Sequence, residues 1–179
     1  NSITKGAGNI YGFLGEFIAA QELKAEESNT YDYDIRMVMS NNSGEDWSES
    51  FIPHTDGVNA EHGFVSMLPM GDNQVFATWL DGRFTKSEEM NPDGKMERGA
   101  MSLRAGIFDE NGAMVEEWEL DHRVCDCCQT SATMTANGPV VVYRNRTDKE
   151  IRDMSIVRLI DGEWTAPEII HADDWEIPG

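Results

Sequence analysis

The sequence predicts an all-β chain folded as a partial β-propeller, with about three four-stranded antiparallel blades in its 179 residues. Two observations carry that expectation. At three places a strand-like run ends in a polar glycine turn followed by a tryptophan: SNNSGEDW to Trp47, DENGAMVEEW to Trp118 and IDGEW to Trp164. Their spacings of 71 and 46 residues fall in or near the range of a four-stranded blade carrying one insertion. Between the tryptophans the chain reads as short strands. Met101, Leu103, Ala105 and Ile107 alternate with Arg104 on the opposite face, whereas residues 64–68, 75–80 and 140–143 are continuously apolar. Continuous apolar strands belong inside, packed by neighbouring blades on both faces.

In chain order, blade A is expected over about residues 8–60, with strands at 10–23, 33–40 and 49–54. Residues 13–24 could instead be helical, because Phe17, Ala20, Gln21 and Lys24 do not alternate; strand is the preferred reading. Blade B covers about residues 61–124, with strands near 64–70, 74–81, 100–108 and 115–122. Gly71-Asp72-Asn73 makes its first hairpin turn, and a polar insertion at 87–98 lengthens one connection. Blade C covers about residues 125–176, with a turn at Asn137-Gly138. Propellers close with about four to eight blades, so one copy is not expected to close a ring. Two copies would supply about six, which makes a homodimer the expected assembly.

The 33 acidic and 14 basic residues give a net charge of −19, which argues against nucleic acid or an anionic membrane surface as a general partner. Clustered arginines could still bind an anion. The acidity itself reads as a solubility adaptation, with calcium binding as the alternative. No apolar stretch approaches the ~20 residues of a bilayer-spanning helix, so no membrane partner is expected. No signal peptide is visible, and the chain begins at Asn1. Cys125, Cys127 and Cys128 are the three cysteines; lying within one four-residue window, they form a local site and not a disulfide framework.

The segment Ser40-Asn41-Asn42-Ser43-Gly44-Glu45-Asp46-Trp47 resembles the Asp-box, S-x-D-x-G-x-T-W, of sialidases and related propellers. Ser40, Asn42, Gly44 and Trp47 hold its marker positions; Asn42 replaces the Asp, and Asp46 the Thr. In that family the box is a structural turn between the third and fourth strands of a blade, away from the active site. A wider likeness runs from residue 31 to 179. Glu61-His62-Gly63-Phe64, Trp79-Leu80-Asp81-Gly82-Arg83, the run Arg123 to Thr130, and Val142-Tyr143-Arg144-Asn145-Arg146 resemble blocks of bacterial sialidase-like six-bladed propellers, many without assigned activity. The resemblance implies half of a six-bladed propeller and a bacterial periplasmic or secreted setting. It also implies a further strand and about half a propeller beyond Gly179, beginning with another cysteine-containing segment.

In a propeller, residues just before the innermost strands of successive blades meet at the central channel. Glu61-His62 and the run from Cys125 to Gln129 occupy such positions. Asp81, Arg83, Arg144 and Arg146 are expected on the same face, where guanidinium groups can grip a carboxylate or phosphate bidentately. A sialidase needs three arginines around the sugar carboxylate, a Tyr activated by a Glu, and an acid/base Asp. The resemblance therefore nominates Arg83, Arg123 and Arg144 as anion clamps, Glu61 or Asp126 as acid/base and Tyr143 as nucleophile. It also places the family's N-terminal arginine segment and acid/base Asp upstream of this chain.

Each assignment has a structural alternative. Asp81 with Arg83, and Asp153 with Arg152, read as strand-end ion pairs. Tyr143, preceded by three valines, reads as a core residue, and His62 as a packed histidine. The thiols could hold a soft metal with His62 or His122, although no second cysteine pair exists and no metal or cofactor is expected. A disulfide is preferred, either between Cys125 and a neighbour or, by the resemblance, with a cysteine beyond Gly179. A leftover thiol would then be free to react or to pair between subunits; buried free thiols are the remaining reading. The function expected is a sialidase-like carbohydrate-active protein, an exo-glycosidase or a binder of anionic glycans. The alternative is a non-catalytic binding or scaffold module, or a propeller fragment without activity of its own.

Overall fold

A computed structural model of the chain describes residues 3–6, 16–23, 32–40, 42–90, 94, 96–172 and 174–176. Every regular element among them is a strand, and every strand pairing is antiparallel. Strands β1 (Ile3–Gly6), β2 (Glu16–Leu23) and β3 (Tyr33–Ser40) form the first sheet in that order. Next come β4 (His62–Met70) and β5 (Gln74–Asp81), then the small hairpin β6 (Glu88–Met90) and β7 (Met96–Arg98). Strands β8 (Ser102–Phe108) and β9 (Met114–Asp121) complete a second sheet of order β4-β5-β8-β9. The third sheet runs β10 (Ser131–Thr135), β11 (Gly138–Arg144), β12 (Met154–Ile160), with β13 (Glu163–Trp164) and β14 (Glu168–His171) both pairing with β12. Consecutive antiparallel sheets with short connections are the partial propeller that the alternation and turns predict.

The turns follow from their residues. Asp161 (φ 52°) and Gly162 (φ 83°) both take left-handed backbone between β12 and β13, which suits an Asp-Gly pair in a tight hairpin. At the first tryptophan turn, Ser40 Oγ accepts the Gly44 amide at 2.8 Å, and Asn42 Oδ1 accepts the Asp46 amide at 2.9 Å. Asn42 therefore supplies the acceptor that an Asp would have given, and its Nδ2 adds a 2.8 Å bond to Asp46 Oδ2.

The second sheet is the centre of the molecule because both of its faces are covered. Val75, Ala77 and Trp79 point to one side and pack with Ile35, Met37, Val65 and Phe108. Phe76 and Leu80 point to the other, into a core with Leu103, Ala105, Ile107, Val141, Tyr143 and Val157. Trp118 and Trp164, from two of the tryptophan turns, meet edge to face at 5.9 Å and seal the second sheet against the third. Trp47 instead stays 39% exposed.

Three expectations are revised. Residues 49–54 are not a regular strand: only Phe51 pairs, its amide donating to the Met37 carbonyl and its carbonyl accepting the Met37 amide, both at 2.9 Å. The polar run Ser48-Glu49-Ser50 and Pro53, which lacks an amide hydrogen, explain why pairing goes no further. Residues 140–143 are not packed on both faces. In β11, Pro139, Val141 and Tyr143 are buried while Val140 and Val142 are half-buried, because no described sheet covers the second face. The insertion at 87–98 forms the β6–β7 hairpin where it is described. Of the segment 13–24, residues 16–23 are strand and not helix; the remainder, like 10–15, lies outside the described residues.

Candidate functional site

Edge strands β4 and β10 come together side by side, which brings the residues just before them to one place. Thr130 Oγ1 donates to the Phe64 carbonyl at 2.7 Å, and Ser66 Oγ donates to the Thr130 carbonyl at 2.8 Å. Phe64 adopts φ 55° at a break in β4 register between Gly63 and Ser66, so the Thr130 bond anchors a strained residue. Gln129 Nε2 reaches the Val65 carbonyl at 3.3 Å and serves the same junction.

A cleft of about 500 Å³ opens beside this junction. Glu61 and Asp126, the residues that precede β4 and β10, both line it, as the convergence of blade entries predicts. Cations surround them: Lys86, Arg98, Arg123 and Arg146 are lining residues, along with Asp32. Burial, and then the charge of Asp126, hold the Glu61 carboxyl above the usual carboxylate range. Gly82 fixes Glu61 from behind. Its amide donates to the Glu61 carbonyl at 2.8 Å, and a Cβ on Gly82 would stand 2.7 Å from that oxygen.

The cleft cations are positioned by carboxylates. Arg146 makes a two-pronged contact with Glu150, its Nε 3.0 Å from both carboxylate oxygens, and lies 3.8 Å from Asp126. Glu150 also accepts Arg152 at 3.0 Å, and this guanidinium company holds its carboxyl below the ordinary range. Arg123 Nε is buried without an aligned acceptor and lies 3.4 Å from the exposed Asp148. Lys86 pairs with Asp32, and Arg98 Nε donates to the Thr85 carbonyl.

Several nominated residues belong to a buried network next to the cleft and do not line it. His62 is fully buried: Nδ1 lies 3.2 Å from the Ala60 carbonyl, and Nε2 lies 3.0 Å from Asp56 and 3.5 Å from Asp81. Asp81, also 0% exposed, accepts the Trp79 indole at 3.0 Å and two arms of Arg83 at 2.7 and 2.8 Å. Arg83 is thereby spent on Asp81 and Glu117, as a strand-end ion pair would be. His54 stacks on His62 with ring centres 3.7 Å apart and planes 7° from parallel. Burial, opposed by Arg83 and His62, leaves the Asp81 carboxyl far below its ordinary range. Burial also opposes charge on both imidazoles. The carboxylates nevertheless raise the His62 pKa, while His62 helps lower that of His54, so the two stacked rings shift in opposite directions.

Tyr143 is 1% exposed, and its hydroxyl donates to Asp121 Oδ2 at 2.6 Å. Burial, then Asp121, push that hydroxyl far above the ordinary phenol range. It is a clasp between the second and third sheets and does not line the cleft, which removes the geometric case for it as nucleophile. Arg144 does not line the cleft either; its Nε is buried without an aligned acceptor, and its guanidinium contacts Cys128. Arg152 pairs with Glu150 and Asp126. Sequence reasoning missed Lys86 and Arg98 as site residues. Their signal was their position at the two ends of the polar insertion, read only as a longer connection.

Two His/Asp groupings could in principle hold a cation: Asp34, His54 and His62, and Asp56, His62 and Asp81. The near-parallel rings aim their nitrogens side by side and not at a common point, and Arg83 already lies 3.5 Å from Asp56. The arrangement fits a proton-sharing network better than a metal centre. The three thiols cluster together without His62 or His122. His122 has an 86% exposed side chain and lies near Asp121.

No protein-family profile and no curated protein matches the chain. Among solved structures, "Hadza microbial sialidase Hz136" is similar over 84% of this chain at a TM-score of 0.54 and 16% identity. This chain corresponds to 34% of the length of that sialidase, so the likeness is one of fold over about a third of the larger protein.

Proposed function

We propose that the cleft binds an anionic carbohydrate, with Arg123 and Arg146 gripping its carboxylate and Glu61 beside the scissile or anomeric position. The observation that carries this reading is the concentration of cations. Four of the chain's 14 Lys and Arg residues line one cleft in a protein of net charge −19. Cations gathered against the overall field mark the place where an anion is favoured. Planar guanidinium forks held by neighbouring carboxylates suit a sugar carboxylate, and a carboxyl with a raised pKa is suited to keep a proton for a glycosidic oxygen. The sialidase-like fold supports a glycan over other anions. Asp126 serves as the second carboxylate, whose charge adds to burial in raising the Glu61 pKa, and completes an acid/base pair.

Titration with N-acetylneuraminate and with a fluorogenic sialoside tests the reading. Saturable binding by the sugar acid, together with hydrolysis that Glu61→Gln abolishes, would support a glycosidase; binding without hydrolysis would support a lectin-like module. Hydrolysis that survives Glu61→Gln would remove Glu61 from the acid/base role.

We further propose that a second copy of the chain covers the open side of the third sheet. Val140 and Val142 lack a covering sheet among the described residues, and Ile170 and Trp175, in and just beyond the neighbouring edge strand, are 50% and 59% exposed. An antiparallel sheet with an uncovered apolar face and free edges invites a further blade. The scaffold alternative differs only in placing another protein on that face.

A further inference from the structure

The turn that leads into β10 gathers three thiols. Cys125 Sγ lies 2.8 Å from Cys128 Sγ and 3.7 Å from Cys127 Sγ. The cluster is anchored, because the Cys125 amide donates to the Arg144 carbonyl and the Val124 amide to the Met101 carbonyl, both at 2.9 Å. Exposure is graded: Cys125 is buried, Cys128 half-buried and Cys127 exposed. Guanidinium groups flank both inner sulfurs, with Arg152 3.7 Å from Cys125 and Arg144 against Cys128. Cys125 and Cys128 stand three residues apart and close readily within one turn. A bond between the adjacent Cys127 and Cys128 would have to span Cα atoms about 3.8 Å apart, below the usual disulfide range of about 4.4–6.8 Å.

We propose that Cys125 and Cys128 form a dithiol–disulfide couple that exchanges with low-molecular-weight disulfides and leaves Cys127 as an exposed free thiol. The inner pair is electronically unequal, so that one sulfur can serve as base for the other. Burial disfavours the Cys125 thiolate, but hydrogen bonds from Cys128 and Cys127 and the charge of Arg152 bring its pKa below the ordinary value. Burial and the Cys125 anion push Cys128 up to about 12. The more accessible Cys128 attacks an external disulfide R–S–S–R as its proton passes across the 2.8 Å contact to Cys125 Sγ, which acts as the base, forming Cys128–S–S–R and releasing R–S⁻. Cys125 then loses that proton to solvent and attacks Cys128 Sγ, expelling the second R–S⁻. One Cys125–Cys128 bond forms, one external S–S bond breaks, and two electrons pass from the cysteines to R–S–S–R, which leaves as two thiols.

The test is equilibration of the whole chain in oxidised or reduced glutathione, followed by acid quench, alkylation and location of the label by peptide fragmentation. Under reducing conditions all three cysteines should carry label; after oxidation two of the three labels should be lost, leaving Cys127 alone. Cys127→Ser should still close the couple and lose all label on oxidation, and Cys125→Ser, which lacks the resolving thiol, should stop as a glutathione mixed disulfide on Cys128. Label retained on Cys125 or Cys128 in oxidised wild-type protein, or consumption of Cys127 in their place, would overturn the assignment. Thermal melts of both variants verify that the turn is probed in folded protein. The outcome does not depend on whether the cleft binds a sugar.

Discussion

At the scale of single residues, the buried Asp56–His62–Asp81–Arg83 network explains why a histidine and two carboxylates can lie together away from water. Every charge in it has an opposite neighbour within 3.5 Å. Removing one member strands the others. Asp81→Ala is expected to cost about 3–5 kcal/mol, measurable by denaturant unfolding, because Arg83, His62 and the Trp79 indole lose their shared acceptor. The network also sets a pH profile. Asp81 and Asp56 have lowered pKa values, so the stability they add is present above about pH 4 and falls as the pH drops through those lowered values. His54, also lowered, adds stability above about pH 6.5 that is lost on acidification. His62 is raised, so its contribution is complete below about pH 6.5 and is lost as pH climbs through its folded value. The expected result is a melting temperature that declines on both sides of a near-neutral maximum; a steady rise into alkali would contradict the raised pKa of His62. The chemistry of this network was legible only in part. Glu61, His62, Asp81 and Arg83 stood out in the sequence, but His54 stood at the end of an expected strand with Asp56 just beyond it, and only the fold stacks His54 on His62.

At the scale of elements, the clearest sequence signals came from the second sheet. The register of β4, β5, β8 and β9 follows from alternation and turn residues, and its strand ends fall within two residues of the expected ones. Residues 49–54 and the two faces of β11 were harder to read, because apolar content alone does not say which neighbour covers a face. Burial of β5 from both sides makes it the most sensitive strand. Trp79→Ala should destabilise by about 3–5 kcal/mol in chemical denaturation, since the indole is 0% exposed and packs among residues of the first and second sheets. Gly82→Ala tests the link from strand to cleft. A Cβ there meets the Glu61 carbonyl at 2.7 Å, so the strand end must move away from Glu61. The substitution should cost about 1–3 kcal/mol and weaken ligand binding more than a distant substitution of equal stability cost.

At the scale of the whole molecule, three sheets share two cores, and among the described residues the Val140–Val142 face of the third sheet is left half-buried. The tryptophan turns announced this architecture, whereas the membership of the cleft could not be read from them. Glu61 and Asp126 were legible because blade entries converge; Lys86 and Arg98 were not, because an insertion's direction depends on packing that its polar sequence does not encode. Light scattering of the 179-residue chain should give about twice 20.1 kDa if a second copy covers the open face; a monomer would remove that proposal. The central claim is that the cleft cations hold an anionic sugar, and calorimetric titration with N-acetylneuraminate tests it most directly. The account predicts one saturable site, weakened about 10- to 100-fold by Arg123→Ala or Arg146→Ala, as loss of a charge-assisted hydrogen bond worth about 1.5–3 kcal/mol requires. Absence of saturable binding, or binding indifferent to both substitutions, would contradict it.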